Sequence, residues 1–186
     1  QCLRRCRSPI SCVAMDLAMS PEDIKAKWDE NRIDAANRGT WMHYTFELWL
    51  NRDPTHVDAP EFKLFLAFLA SLSGFVAHRT EWEIFGEEER LAGSIDFVVQ
   101  GDDKSYMLVD WKRTKVLRSK YSNPYRSMLP PLDHLSDCAG IHYRLQLNCY
   151  KYLLEKYYGL KVSRMLVVGA NADNGESAFV DEVPAM

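Results

Sequence analysis

Ala92-Gly93-Ser94-Ile95-Asp96-Phe97-Val98-Val99 and Ser105-Tyr106-Met107-Leu108-Val109-Asp110-Trp111 are two β-rich runs. Between them lies Gln100-Gly101-Asp102-Asp103-Lys104, a polar cluster that reads as a hairpin turn. With the turn centred on Asp103, Asp96 falls opposite Asp110. Opposed side chains have Cβ atoms roughly 5 Å apart, and like charges there repel. Two facing carboxylates call for a cation or a shared proton. Lys112, two residues past Asp110, points to the same sheet face. An acid, an acid and a lysine on one face suit metal-assisted hydrolysis. An exposed hairpin with scattered charges is the plain structural alternative, and a one-residue slip would break the pairing.

The 186 residues suffice for one domain with a full core, and the 47% apolar content is that of a globular protein. No apolar run is long enough to cross a membrane, so no membrane partner is expected. The net charge of −3 gives no global attraction to nucleic acid, so any must come from a local patch. Five cysteines, with Cys2, Cys6 and Cys12 crowded at the start and Cys138 and Cys149 later, argue against a disulfide framework and for an intracellular compartment. Residues 1–19 form a basic, Cys-rich extension, read as a targeting remnant, a linker or the end of an upstream segment. Residues 20–186 read as one domain, a module of a longer protein.

Ser20-Pro21-Glu22-Asp23 is a helix start, with Ser as N-cap and Pro at the first helical position. A helix is expected from Pro21 to about Asn37, with Gly39 ending it or marking a close approach. A second, aromatic-rich helix is expected over residues 40–50 and a third over 60–73. Strands follow at about 77–85, 91–99 and 105–111. A long connector, 113–139, holds Pro124, Pro130 and Pro131. A helix over 139–158 and strands at 162–169 and 178–180 complete an α/β domain with a mixed sheet flanked by helices.

Further groups could join the hairpin acids. His43 follows Gly39-Thr40 and shares a helix face with Glu47; imidazole suits divalent metals. Glu81 precedes the hairpin and faces Asp96 if the intervening turn is centred between Glu88 and Glu89. Gln146 and Tyr150 share a face of the late helix, with Tyr143 one turn earlier. After Lys112 comes a basic run, Arg113, Lys115, Arg118, Lys120 and Arg126, interleaved with Tyr121 and Tyr125. Such a run suits phosphate contacts and base stacking. Each group also has a structural reading: a satisfied histidine, an amphipathic strand, core-edge tyrosines, a solvated loop.

The ordered set Gly-Thr-x-x-His (39–43), Glu81, Gly-x-x-Asp (93–96), Asp-x-Lys (110–112) and Gln-x-x-x-Tyr (146–150) resembles the PD-(D/E)XK nucleases. Within them it is most similar to the branch with RecB-type nuclease domains, CRISPR-associated exonucleases and mitochondrial genome maintenance exonucleases. The resemblance spans roughly residues 20–170. It implies a restriction-endonuclease-like core in α-β-β-β-α-β order. It implies that His43, Asp96, Asp110 and the Trp111 carbonyl ligate Mg²⁺ or Mn²⁺. Lys112 would position water or offset phosphate charge, Gln146 and Tyr150 would support the site, and Glu81 would assist less directly. Asp-Trp-Lys replaces the commoner Asp-Tyr-Lys or Asp-Phe-Lys. Some relatives hold an iron–sulfur cluster with one cysteine before the core and three after it. No cysteine follows Cys149, so no cluster is expected.

The function expected is a metal-dependent deoxyribonuclease, an exonuclease on single-stranded or end-containing DNA. Two alternatives stand beside it: an inactive nuclease-fold module that binds nucleic acid, and a protein-interaction domain built on the aromatic 41–49 segment.

Overall fold

The structure is a computed structural model that describes residues 19–53, 57–115 and 117–186. The N-terminal cysteines Cys2, Cys6 and Cys12 and the Arg118 side chain lie outside the described residues. The chain divides into two compact units, with the boundary between Trp41 and Met42.

The first helix, α1, runs Pro21–Leu50 without a break. Ser20 caps it, its Oγ accepting from the Asp23 N–H at 3.1 Å. This corrects the expected pair of helices divided at Gly39. Glycine inside a helix costs roughly 1 kcal/mol relative to alanine, which weakens a helix without stopping it. Gly39 has no left-handed φ, and a Cβ there would meet nothing within 4 Å, so it marks neither an end nor a close approach.

The second unit, Met42–Met186, contains the sheet. It opens with the last turns of α1 and continues with α2 (Pro60–Ser71), β1 (Phe75–Gly86), β2 (Leu91–Gly101) and β3 (Tyr106–Lys112). A 3₁₀ turn (Leu117–Tyr121), α3 (Ala139–Tyr157), β4 (Val162–Gly169), a second 3₁₀ turn (Ala172–Asn174) and β5 (Phe179–Glu182) follow. The five strands lie in sequence order in one open, mixed sheet. β1, β2 and β3 form an antiparallel meander. α3 then carries the chain over to β4, which pairs parallel with β3, and β5 returns antiparallel. The fold class is α/β, as the strand and helix order led us to expect.

Each sheet face has its own core. On one, α3 supplies Leu147, Tyr150, Leu153 and Leu154 against Ile84, Ile95, Val98, Leu108 and Val167. On the other, Met42 and Phe46 of α1 and Phe62, Phe65 and Phe68 of α2 pack on Phe97, Val109, Trp111 and Val168. β3 is covered on both faces, so its apolar run is continuous instead of alternating. Trp111 is the hub of the second core: Phe46, Phe65 and Phe68 meet it edge-on with centroids 5.3 to 5.4 Å away. Phe97 stacks at 6.3 Å.

The hairpin register has Asp103 at its centre. Phe97, Val98, Val99 and Gln100 pair with Val109, Leu108, Met107 and Tyr106. That phase places Asp96 opposite Asp110. β1 and β2 pair Thr80 with Phe97 and Trp82 with Ile95, which places Glu81 opposite Asp96. Neither acid pair is itself a ladder pair. Ile95 and Phe97 would share a face in a regular strand, yet they enter opposite cores. The pleat of β2 therefore changes phase at Asp96. Opposite it, Glu81 has a left-handed φ of 43°, a strained conformation for a non-glycine residue inside a strand. Both strands are irregular at their acids.

Candidate metal centre

Four elements bring their side chains to this irregular end of the hairpin. His43, on the last turns of α1, lies with Nδ1 3.6 Å from Glu81 Oε1 and 3.6 Å from Asp96 Oδ1. Donor atoms of His43, Glu81 and Asp96 all lie within 4.8 Å of one another, close enough to share one ion. At 3.6 Å the contacts to His43 are electrostatic and longer than hydrogen bonds. Asp96 is oriented from behind: the Trp111 N–H donates to its Oδ2 at 2.7 Å. That bond takes the place of the ladder bond the strand gives up at this point. Ser94 Oγ sits 3.4 Å from Glu81 Oε2.

Beside this triad, Lys112 Nζ lies 2.9 Å from Asp110 Oδ1 and 2.8 Å from Oδ2. Asp110 is 2% exposed. Its Oδ2 is buried and accepts no properly directed hydrogen bond. The Lys112 ammonium also lies over the Tyr143 ring, 4.8 Å from its centroid. Gln146 Nε2 donates to the Tyr150 hydroxyl at 2.8 Å, so the i, i+4 pair on α3 does act together. Tyr150 lies against Gly93, where any Cβ would run into its ring. The Gly-x-x-Asp and Gln-x-x-x-Tyr motifs are thus two halves of one contact.

Charge is out of balance here. Burial and the neighbouring Asp110 charge push the Asp96 carboxyl up to about 7. Burial also raises Asp110, although the Lys112 charge opposes it. For His43, burial acts downward, but the Glu81 and Asp96 carboxylates outweigh it and hold the imidazole above its ordinary value. Burial likewise acts downward on Lys112, and Asp110 reverses it. The cluster therefore holds protons near neutrality that a bound cation would expel.

A divalent ion fits these residues. One imidazole and two carboxylates converge, and a third carboxylate lies beside them, paired with Lys112. The grouping differs from the expected His43, Asp96 and Asp110 in one respect. Glu81, expected to assist less directly, is the third member of the close triad, while Asp110 is held by Lys112. The signal for Glu81 was the turn centring that put it opposite Asp96. Its backbone strain has no signature in the sequence.

The basic connector is more tied down than its composition suggests. Arg113 Nε donates to the buried Glu61 carboxylate at 2.9 Å. Lys115 Nζ lies 3.1 Å from Asp173. Tyr121 packs on Gly140 and Phe179, with the Arg144 guanidinium 4.5 Å from its ring centroid. Arg144 in turn holds Asp181 through two hydrogen bonds of 2.9 and 2.6 Å. Lys120, Tyr125 and Arg126 are exposed, Tyr125 at 92%. Residues 126–137 fold back on themselves through a Ser127–Ser136 bridge instead of forming a loose loop. Glu47 forms no ion pair with His43, whose carboxylate partners are Glu81 and Asp96.

No protein-family model matches the chain, and no curated protein matches it. No helix among the described residues is long and apolar enough to cross a membrane.

Proposed function

We propose that the protein is a divalent-metal-dependent deoxyribonuclease of the PD-(D/E)XK type, acting as an exonuclease on single-stranded or end-containing DNA. The observation that carries this reading is the meeting of His43, Glu81 and Asp96 within 4.8 Å, beside a buried Asp110–Lys112 ion pair. A pure binding module has no use for buried carboxylates that raise each other's proton affinity. The order of helices, three-stranded meander, helix and parallel strand also supports a restriction-endonuclease-like core.

His43, Glu81, Asp96 and Asp110 would hold Mg²⁺ or Mn²⁺, hard ions suited to a carboxylate-rich set. Such an ion lowers the pKa of bound water and polarises the phosphate. Lys112 keeps its ammonium against Asp110, where negative charge is already present and where more develops as the phosphate is attacked. Tyr143 limits its movement from above. Asp96 is fixed by the Trp111 N–H, so its free oxygen stays directed at the triad. Tyr150, held by Gln146 and seated on Gly93, closes the wall toward α3.

The deciding experiment offers end-labelled single-stranded, duplex and circular DNA, and RNA, with Mn²⁺, Mg²⁺ or EDTA. Cleavage of linear DNA that requires the metal and spares circles is expected. Salt-sensitive binding with no turnover in either metal would instead favour an inactive nucleic-acid-binding module.

A further inference from the structure

A polar groove of about 460 Å³ lies along β1, at the edge of the sheet, and shares Glu81 with the metal triad. Asn51 at the end of α1 and Arg79, Thr80, Glu81 and Trp82 of β1 line it. Glu81 belongs both to the groove and to the triad. Glu81 is thus the residue through which the groove adjoins the triad.

The edge strand is shaped for this. β1 carries a bulge between Ala77 and Arg79 and the left-handed φ at Glu81. Bulges re-aim side chains. Here the irregularities bracket Arg79 and Thr80. The Arg79 guanidinium lies over the Trp82 ring, 4.9 Å from the centroid. Trp82 is backed edge-on by Tyr158 at 5.4 Å, and the Phe85 N–H donates to the Tyr158 hydroxyl at 3.2 Å. His78 meets the Trp82 and Tyr106 rings at 5.8 and 5.0 Å. Burial and the Arg79 charge lower the His78 pKa, so it adds ring surface and no charge. Arg79 forms none of the ion pairs among the described residues, unlike Arg113, Arg144 and Arg164. It is an exposed guanidinium lying over an aromatic ring, with its N–H donors in no ion pair among the described residues. Asn51, whose Nδ2 donates to Thr80 Oγ1 at 3.0 Å, closes the far side. The exposed Glu83 on the rim and Glu81 beside the triad both repel anions, so among the lining residues it is Arg79 that attracts one.

We infer that Arg79, backed by Trp82, is a phosphate-positioning residue that holds the substrate strand beside the metal triad. The inference rests on the nuclease reading above. Arginine is suited to the task because its planar fork can donate two parallel hydrogen bonds to a phosphate. Its outer face can also take a stacked base.

The test uses fluorescein-labelled oligodeoxynucleotides. Affinity is read by anisotropy in EDTA across a salt series, and cleavage is read in Mn²⁺. Wild type is compared with Arg79→Gln, and all-phosphate strands with strands bearing one uncharged methylphosphonate at successive positions. Arg79→Gln should raise KM about tenfold, the loss expected of one charge-assisted contact. It should reduce the logarithmic salt slope by about 0.7, the value of one single-strand phosphate contact. One methylphosphonate position next to the cut should weaken wild type by a similar factor and leave Arg79→Gln unaffected. Arg79 is exposed, so the variant should fold; Trp82→Leu should reproduce its phenotype more weakly. If wild type cleaves and Arg79→Gln matches it in KM, salt slope and methylphosphonate profile, the subsite is wrong and the nuclease reading stands. If wild type neither binds nor cleaves any strand, both fall together.

Discussion

Asp103 and Asp96 stand at opposite ends of one hairpin and are treated in opposite ways. At the closed end, Asp103 Oδ1 accepts from the Ser105 N–H at 3.0 Å and the Ser105 hydroxyl at 2.7 Å. Those bonds hold its carboxyl below the usual range. The Gly101 and Lys104 N–H groups are bonded across the same turn. These bonds close the chain on itself. At the open end, Asp96 is pushed up to about 7, Asp110 has an oxygen with no hydrogen bond, and Glu81 sits on a strained backbone. A turn needs satisfied carboxylates; a site that binds a cation needs carboxylates left wanting one.

Breaking the open end should have the largest effect. Asp110→Ala or Lys112→Ala should reduce metal-dependent cleavage by on the order of 10³-fold or more, as removal of a charge-stabilising group does elsewhere. Both variants should remain folded by circular dichroism: Asp110, already raised by burial, can take up a proton when its ammonium partner goes, and Lys112 keeps the Asp96 charge and the Tyr143 ring when Asp110 goes. Cleavage at the wild-type rate in either would remove the nuclease assignment. The next effect separates site from scaffold. Trp111 lies between Asp110 and Lys112 but points into the other core, against four phenylalanines. Trp111→Ala should cost about 3–5 kcal/mol in urea denaturation. A cost below about 1 kcal/mol would mean that this core does not hold the end of β3 in place.

Much of this was legible in the sequence, for identifiable reasons. The polar run at residues 100–104 marked the turn and the turn set the register of residues 97–100 against 106–109, a phase that puts Asp96 opposite Asp110 when carried one residue past the last ladder pair. The i, i+4 rule paired Gln146 with Tyr150. What could not be read depends on tertiary packing. Gly39 breaks nothing, because one weak helix residue is carried by its neighbours. The change of pleat at Asp96 and the positive φ at Glu81 have no local signal, since parity arguments assume regular strands. Arg113 looked like a phosphate contact, but its partner Glu61 lies 52 residues earlier on α2. A basic composition says how many cations there are and nothing about which are already paired.

The strain at the open end should also show as a dependence of stability on pH. The folded state binds the Asp96 proton more tightly than the unfolded chain, where the ordinary value is 3.8. In EDTA, this contribution is full below pH 3.8 and is lost as pH rises toward about 7. His43, also raised, acts in the same direction above its ordinary 6.5. Asp96→Asn should flatten this decline, giving on the order of a few kcal/mol relative to wild type at pH 8 and little at pH 4. Mn²⁺ should reverse the trend in wild type, because the ion replaces the protons, and should do nothing comparable in Asp96→Asn. Equal urea midpoints for the two proteins at both pH values would mean that Asp96 carries no such burden.

The closed end supplies the smallest effect and the control for the rest. Asp103→Asn keeps an acceptor for Ser105 and removes a charge that forms no ion pair among the described residues. Cleavage by this variant should stay within about twofold of wild type, and metal should stabilise it as it stabilises wild type. A large loss of cleavage from Asp103→Asn would show that the hairpin transmits its register to the open end as a rigid unit. Asp96 and Asp110 would then be held opposite each other by the turn as much as by Trp111 and its core. The comparison is decided by which change the site feels, because the charge at residue 103 and the ring at residue 111 act on the same two strands from opposite ends.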